Sequence, residues 1–394
     1  MKYGARWLLP DGVEDVLPPS AESLEQLRRK ALDLFSSWGY QLVSPPLVEF
    51  VESLYSGSSD LELQTFKITD QVSGRLMGIR ADITPQVARI DAHRLPTDLP
   101  QRLCYVGPIL HARADKIGCS RNPLQVGAEL YGHAGIESDA EVISLMVELL
   151  QLTALSNVTI ELGHMGIFNA LVQAAELDSD AAEKLLGALL QKASDEVVNC
   201  INDNDVKTAT ADLIMNLLRL NGGVEIVAEA KRVMARAPQS VVNALDSLDE
   251  LLGVLCHHFS DVDFHVDLAE LRGYRYHTGI IFGAYFPGEG RGIAWGGRYD
   301  NIGEQFGRYR AATGFSVDLK NLVHICGVPQ PVRAKLYAPS GSEPSLVETI
   351  AELRSNGTVV IQALPGQVGG PLDFDCTGEL VLDGNEWKAK DLDT

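Results

Sequence analysis

The sequence is short of basic charge: 33 Lys and Arg stand against 53 Asp and Glu in 394 residues, a formal net charge of −20. Nucleic-acid affinity rests largely on phosphate neutralisation by Lys and Arg, and a net acidic field opposes it. No Lys/Arg-rich run offers a local exception, so neither tRNA nor DNA is an expected partner. Long hydrophobic runs are missing too. No stretch approaches the roughly eighteen uninterrupted apolar residues of a membrane-crossing helix, so none is expected. The opening MKYGARWLLPDGVEDVLPPS holds only Trp7 to Leu9 as an apolar run before prolines and acids, which predicts no signal peptide. CxxC spacing is absent as well. The six cysteines (Cys104, Cys119, Cys200, Cys256, Cys326, Cys376) are scattered, and together with the missing secretory features they predict reduced thiols in the cytoplasm. Cys256-His257-His258 is the nearest thing to a metal cluster. Adjacent residues on one helix point in different directions and no second cluster lies nearby, so neither a metal nor a cofactor is expected.

What is present is the composition of an ordinary folded protein, 45% hydrophobic and 22% charged, long enough for two or three domains. Apolar residues at helical spacing (Leu24, Leu27, Leu32, Leu34, Phe35) predict a helix over Ser20 to Trp38 that stops at Gly39. Tyr40 to Phe50 reads as a strand turning a corner at Pro45-Pro46. Leu63 to Asp70 and Leu76 to Ala81 read as a hairpin, followed by a helix with Thr84 as N-cap and Pro85 in its first turn. Strands are expected over Arg102 to His111, Leu124 to Tyr131 and Val158 to Leu162, with a helix over Asp139 to Leu150. From about 167 to 254 strand signals vanish and leucines recur at three- and four-residue spacing, the pattern of a helical insertion. Strands return at Phe264 to Leu268, Gly279 to Phe286 and Gly292 to Trp295. The layout predicts an α+β fold, an antiparallel sheet flanked by helices. Residues 1–326 form the expected core. After a linker over Gly327 to Val332, residues 327–394 form a small α/β domain, with strands at Lys335 to Ala338, Thr358 to Leu364 and Glu379 to Asp383 and a helix over Ser345 to Arg354. From Asp373 onward seven acids face only Lys388 and Lys390.

The stretch Glu270 to Asp300, ELRGYRYHTGIIFGAYFPGEGRGIAWGGRYD, resembles the amino-acid pocket of histidyl-tRNA synthetase, where an RGxxYYxxTxFE-type strand leads into GGRYD. The resemblance extends over roughly residues 5 to 325 and implies a class II aminoacyl-tRNA synthetase-like core. A site for free histidine needs acceptors for the ammonium, a cation for the carboxylate, and polar partners for the imidazole. Gly78 to Pro85 resembles the family's LRPExTP segment, which assigns the ammonium to Asp82 and Thr84; Asp82 is a shorter acid than the family's glutamate. Arg121 to Glu129 resembles RxFxQxGxE, with Pro123 in place of the aromatic. It adds Gln125 to the ammonium shell and makes Glu129 the acceptor of an imidazole N–H. Four residues apart on a strand, these two project from one face. By the same resemblance Arg272 meets the carboxylate, and Tyr276 and His277 take the place of a Tyr-Tyr pair.

The nucleotide half of the pattern is damaged. Activating an amino acid needs cations on the ATP phosphates. Against the family's GPxFRxE, Gly107 to Arg113 puts His111 at the arginine position and Arg113 at the glutamate position. Against GFxxGxERL, Asp318 replaces the glycine, Lys320 the glutamate and Asn321 the arginine. The C-terminal stretch is also shorter than an anticodon-binding domain, and it is acidic.

A second family combines these features. The AELRGYRYHTG and PLQVGAELYG segments (Ala269 to Gly279, Pro123 to Gly132) closely match signatures of the regulatory subunit of ATP phosphoribosyltransferase, a non-catalytic paralogue in which His277, His111 and Arg113 are the expected residues. That resemblance implies histidine as allosteric ligand and a short-form ATP phosphoribosyltransferase catalytic subunit as partner. It also implies self-association, at least as a dimer and within a hetero-octamer, and a role in activation and histidine feedback at the first step of histidine biosynthesis. Two alternatives stay open on the residues: a divergent histidyl-tRNA synthetase, and a free-standing histidine-binding sensor.

Overall fold

The computed structural model describes residues 8–54, 59–113, 120–153, 155–271, 277–326 and 334–392. The chain divides into two compact units, Met1–Val328 and Pro329–Thr394. The first unit contains strands β1 (Gln41–Leu42), β2 (Val48–Phe50), β3 (Phe66–Thr69), β4 (Leu76–Ile79), β5 (Gln101–Pro108) and β6 (Leu124–Tyr131). These are followed by β7 (Thr159–His164), β8 (Asn221–Gly223), β9 (Asp263–Asp267), β10 (Ile280–Tyr285), β11 (Gly292–Arg298) and β12 (Ala312–Asp318). Its helices are α1 (Ser20–Ser37), α2 (Val51–Leu54), α3 (Ser59–Gln64), α4 (Thr84–His93) and α5 (Ile136–Gln151), then α6 (Met165–Ala174), α7 (Ser179–Leu190) and α8 (Ser194–Asp203). They continue with α9 (Thr208–Leu217), α10 (Ile226–Val233), α11 (Gln239–His258) and α12 (Leu319–Cys326).

Among the described residues nine strands form the main sheet in the order β1-β5-β6-β12-β11-β10-β7-β9-β8, and β2-β4-β3 form a small second sheet. Pairing is antiparallel through the centre; β1 with β5 and β7 with β9 run parallel near the two edges. The class II synthetase-like α+β architecture read from the sequence is therefore the observed one.

Alternation on the central strands sorts two faces. On β6, Val126, Ala128 and Leu130 enter a large apolar core shared with Ala31 and Phe35 of α1, Ile143 and Met146 of α5, and Leu245 and Leu248 of α11. The opposite face, with Leu103, Tyr105 and Tyr131, packs against Ile83 and Val87 beside and within α4. That second face carries the polar residues Gln125 and Glu129. Helix α1 ends where Gly39 adopts φ +81°, a left-handed conformation that glycine takes without a side-chain clash.

Two expectations need correction. Leu63 and Gln64 close α3 rather than open a strand, so the hairpin begins at Phe66. The insertion is not wholly helical: β8 pairs with β9 as the sheet's edge. Its sequence, Asn-Gly-Gly, carries none of the β-branched or aromatic residues that mark a strand. As the sequence reading placed it, the insertion lies within the core unit, and its Leu185, Leu189, Ile214 and Leu248 join the main core.

The second unit holds β13 (Lys335–Ala338), α13 (Pro344–Ser355), β14 (Val359–Gln362), β15 (Gly378–Asp383) and β16 (Glu386–Asp391). The sheet order is β14-β13-β15-β16, and Leu336, Ala338, Val360 and Leu380 pack with Leu346 and Ile350 of α13. Strand β16 lies within the acidic stretch. Register places Lys390 opposite Glu379, and Lys388 Nζ pairs with Asp383 Oδ2 at 2.8 Å, so the two lysines sit beside carboxylates on the sheet. The linker expected over 327–332 lies outside the described residues.

Candidate functional site

A cavity of about 570 Å³ opens in the first unit, lined by Asp82, His111, Gln125, Glu161, Glu270, His277, Arg291, Trp295, Asp318 and Asn321, among others. The segment before α4, the start of β6, Glu270 after β9 and His277 before β10 meet here.

Asp82 and Gln125 are joined directly. Gln125 Nε2 donates to Asp82 Oδ1 at 2.7 Å, and Gln125 Oε1 accepts from the Ile83 N–H at 3.0 Å. The Thr84 N–H also donates to Asp82 Oδ1, at 3.1 Å. Thr84 is thus the first residue of α4 and not its N-cap; the cap position belongs to Ile83, without a side-chain bond. The Thr84 hydroxyl is used elsewhere. It donates to Glu129 Oε1 at 3.0 Å and lies 3.2 Å from the Tyr105 hydroxyl.

Glu129 lies behind the cavity wall at 1% exposure. It accepts from Thr84, from the Tyr105 hydroxyl at 3.1 Å, and from the Tyr299 hydroxyl. The backbone leaves room for this cluster at two glycines. A Cβ at Gly127 would collide with the Tyr105 ring, and one at Gly314 with the Glu129 carboxylate and the Tyr299 hydroxyl. His277 packs against Gly297, and its ring is 6.5 Å from that of Tyr299. Asp82, Thr84, Gln125, Glu129 and His277 are therefore brought to one place. Arg272 and Tyr276 lie outside the described residues.

Burial pushes the Glu129 carboxyl up to about 8, while the hydroxyls of Tyr299, Thr84 and Tyr105 pull the other way. The raised value means that the folded chain binds this proton more tightly than the unfolded chain does. The associated stability is fully present below pH 4.5 and is lost as pH rises through about 8. Urea midpoints recorded from pH 5 to 9 should fall across this window in the parent chain. In Glu129→Gln this part of the slope should disappear; an unchanged slope would assign it to other groups.

The positions of the damaged nucleotide pattern separate. His111 reaches the cavity, with Nε2 3.0 Å from the Ala81 carbonyl. Arg113 is exposed. Asp318 Oδ1 accepts from the backbone N–H groups of Leu124 (3.2 Å) and Lys320 (3.0 Å) at the start of α12, and burial raises its carboxyl. Asn321 Oδ1 accepts from Arg291 Nη2 at 2.9 Å.

Several residues of the site escaped the sequence reading. Tyr299 lies in the recognised GGRYD, and Glu270 and Arg291 within the same quoted stretch, yet nothing in the pattern assigned them a role. Tyr105 and Glu161 had no local signal; register alone places them. Among the described residues the wall carries the carboxylates Asp82, Glu161, Glu270 and Asp318 against the guanidinium of Arg291. Such a wall suits an ammonium group and opposes a triphosphate. No group of His, Cys, Asp or Glu suited to a metal occurs among the described residues. None of their helices is long and apolar enough to cross a membrane.

Comparison with known proteins gives a consistent result. The histidyl-tRNA synthetase family model matches residues 12–322, and that of the ATP phosphoribosyltransferase subunit HisZ C-terminal domain matches residues 333–390. The ATP phosphoribosyltransferase regulatory subunit of Thioalkalivibrio sulfidiphilus is 49% identical over 98% of this chain and 99% of its own length. That of Chromohalobacter salexigens is 47% identical over 100% of both. A crystal structure from Bacillus halodurans, described as an ATP phosphoribosyltransferase regulatory subunit/histidyl-tRNA synthetase, superposes with a TM-score of 0.83 at 27% identity, covering 95% of this chain and 97% of that one. The histidyl-tRNA synthetase of Nostoc sp. shares the fold, with a TM-score of 0.81 at 18% identity over 98% and 94% of the two chains. The chain belongs to the family of ATP phosphoribosyltransferase regulatory subunits, carried on a histidyl-tRNA synthetase-like core.

Proposed function

We propose that this chain binds free histidine in the cavity above Glu129 and, as a non-catalytic subunit, activates a short-form ATP phosphoribosyltransferase catalytic subunit in the cytoplasm. Histidine occupancy then lowers that activation, which makes the pair a feedback device at the head of histidine biosynthesis. The observation that carries this reading is the hydrogen-bonded series Gln125–Asp82–Thr84–Glu129 beneath an acid-rich wall. Asp82 and Gln125 would hold the ammonium, Glu129 and His277 would serve the imidazole, and Arg272 would meet the carboxylate. The same wall disfavours ATP, so no amino-acid activation is expected. His111, Asp318 and Asn321 supply no cation where phosphates would need one.

Feedback requires histidine to bind the inactive assembly more tightly than the active one, and the coupling is reciprocal. Calorimetric titration of histidine should give saturable binding to the chain alone. In the complex with the catalytic subunit, ligands that favour the active assembly should weaken histidine by the factor by which histidine weakens them. Absence of binding in both samples would remove the proposal. ATP–pyrophosphate exchange dependent on histidine would instead make the chain a working synthetase.

A further inference from the structure

The helical insertion reaches the candidate site through the end of β9, at Asp267 and Leu268. Asp267 ends β9 and directs the chain into the cavity wall. Its Oδ1 accepts from the Ala269 N–H at 2.9 Å, and its carbonyl accepts from the Glu270 N–H at 3.2 Å. Glu270 then lines the cavity, held between Ala269 and Leu271, both 0% exposed. The packing around it is close: a Cβ at Gly163 would sit 2.9 Å from the Glu270 carbonyl and 3.0 Å from that of Asp267.

Two separate parts of the insertion converge on this hinge. Lys192, in the turn between α7 and α8, donates from Nζ to the same Asp267 Oδ1 at 2.7 Å. Strand β8 places Asn221 opposite Asp267, and the Leu220 carbonyl accepts from the Leu268 N–H at 3.1 Å. The Asp267 side chain is only 12% exposed, against 40% for Lys192, so the ammonium is its counter-charge in a largely dry setting. Lys192 also sits at φ +53°, a left-handed position that is cheaper for glycine. A lysine kept in a conformation that disfavours it directs attention to what its side chain holds.

We propose that Lys192 is a positioning residue: through Asp267 it ties the insertion to the Ala269–Leu271 wall, so that the insertion sets how tightly the cavity holds its ligand. The ligand part of this inference rests on the histidine reading above. A ligand that orders the wall must then also order the α7–α8 turn, and anything that displaces the turn must weaken the ligand.

The backbone conformation supplies a test that separates positioning from mere support. Lys192→Gly deletes the ammonium while relieving the left-handed strain; Lys192→Met loses the same ammonium and keeps the strain, so the glycine variant should be the more stable of the two to urea. Its histidine affinity, measured by calorimetry on the full chain, should nevertheless fall about threefold to tenfold, the scale of a partly exposed charge-assisted bond. Lys192→Met and Asp267→Asn should weaken histidine to the same degree, and the double variant no further. Parent-like affinity in both lysine variants would overturn the proposal. Should the parent chain itself show no histidine binding, the histidine reading fails but the tie is still decided by amide hydrogen exchange. Faster exchange at Ala269 and Glu270 in Lys192→Gly upholds it, and unchanged exchange refutes it.

Discussion

Arg298→Ala is expected to destabilise the core unit by about 3–5 kcal/mol, the cost of leaving a buried charge without its partner. Arg298 and Asp139 are 8% and 2% exposed at their side chains. The guanidinium donates to Asp139 Oδ2 from Nε (3.1 Å) and Nη2 (2.9 Å). It also donates to the Ser138 hydroxyl at 2.8 Å, the Gly135 carbonyl at 3.1 Å and the His133 carbonyl at 3.2 Å. Alanine would leave Asp139 without its cation and take one bond each from the Ser138 hydroxyl and the Gly135 and His133 carbonyls, although the two carbonyls still accept from the Ser138 hydroxyl; burial already raises the Asp139 carboxyl against the pull of Arg298. The loss should appear in urea unfolding as a lower midpoint at unchanged slope. Proton uptake by the stranded Asp139 neutralises the buried charge, so the deficit should shrink as pH is lowered. Arg298→Lys should recover only part of it, because a single ammonium cannot span acceptors on both sides of a planar fork. A deficit below about 1 kcal/mol, the scale of an exposed pair, would mean that the bridge is hydrated. The same residue bears on the site, since its carbonyl accepts from the Thr278 N–H at 2.7 Å, next to His277.

Arg298 also illustrates what the sequence could and could not convey. The strands β5, β6, β7, β10 and β11 and the helices α1 and α5 were legible because burial on one face leaves a period in the apolar residues, whereas β12, between β6 and β11, was not read as a strand. Strand β8 and strand β16 were not, because Asn-Gly-Gly has no apolar face to announce it and Glu386–Asp391 offers only Trp387 and Ala389 among charged residues. Within the site, Asp82, Gln125 and Glu129 were legible through short ordered motifs whose spacing survives in one chain. Their partners were not. Tyr105 is 24 residues from Glu129 and Tyr299 is 170, and only strand register brings the three together. Asp318 shows a further limit. Read as a carboxylate set against phosphates, it also proves to be bonded to backbone N–H groups where β12 passes into α12. One substitution thus serves the fold and the cavity at once, which no motif comparison separates.

Asp82→Asn should lower histidine affinity by about one to two powers of ten, corresponding to the roughly 1.5–3 kcal/mol of a hydrogen bond to a charged group. The substitution is nearly isosteric. Its remaining oxygen can keep the bonds that Asp82 Oδ1 now accepts from Gln125 Nε2 and the Thr84 N–H, so α4 and β6 stay joined. What changes is the other terminus, where an amide that donates replaces an oxygen that accepts. An α-ammonium cannot be received by a donor, and the charge attraction is lost as well. Stability in urea should therefore stay within about 0.5 kcal/mol of the parent, the range of substitutions that leave packing and buried bonds intact. Affinity and stability should move independently here, in contrast with Arg298→Ala. Retained affinity in Asp82→Asn would show that the ammonium is received elsewhere on the wall, where Glu161 and Glu270 are the remaining carboxylates beside the half-buried Asp318. Activation by the catalytic partner's assay adds a second readout. If histidine acts through this cavity, the variant should activate as the parent does and need a correspondingly higher histidine concentration for inhibition.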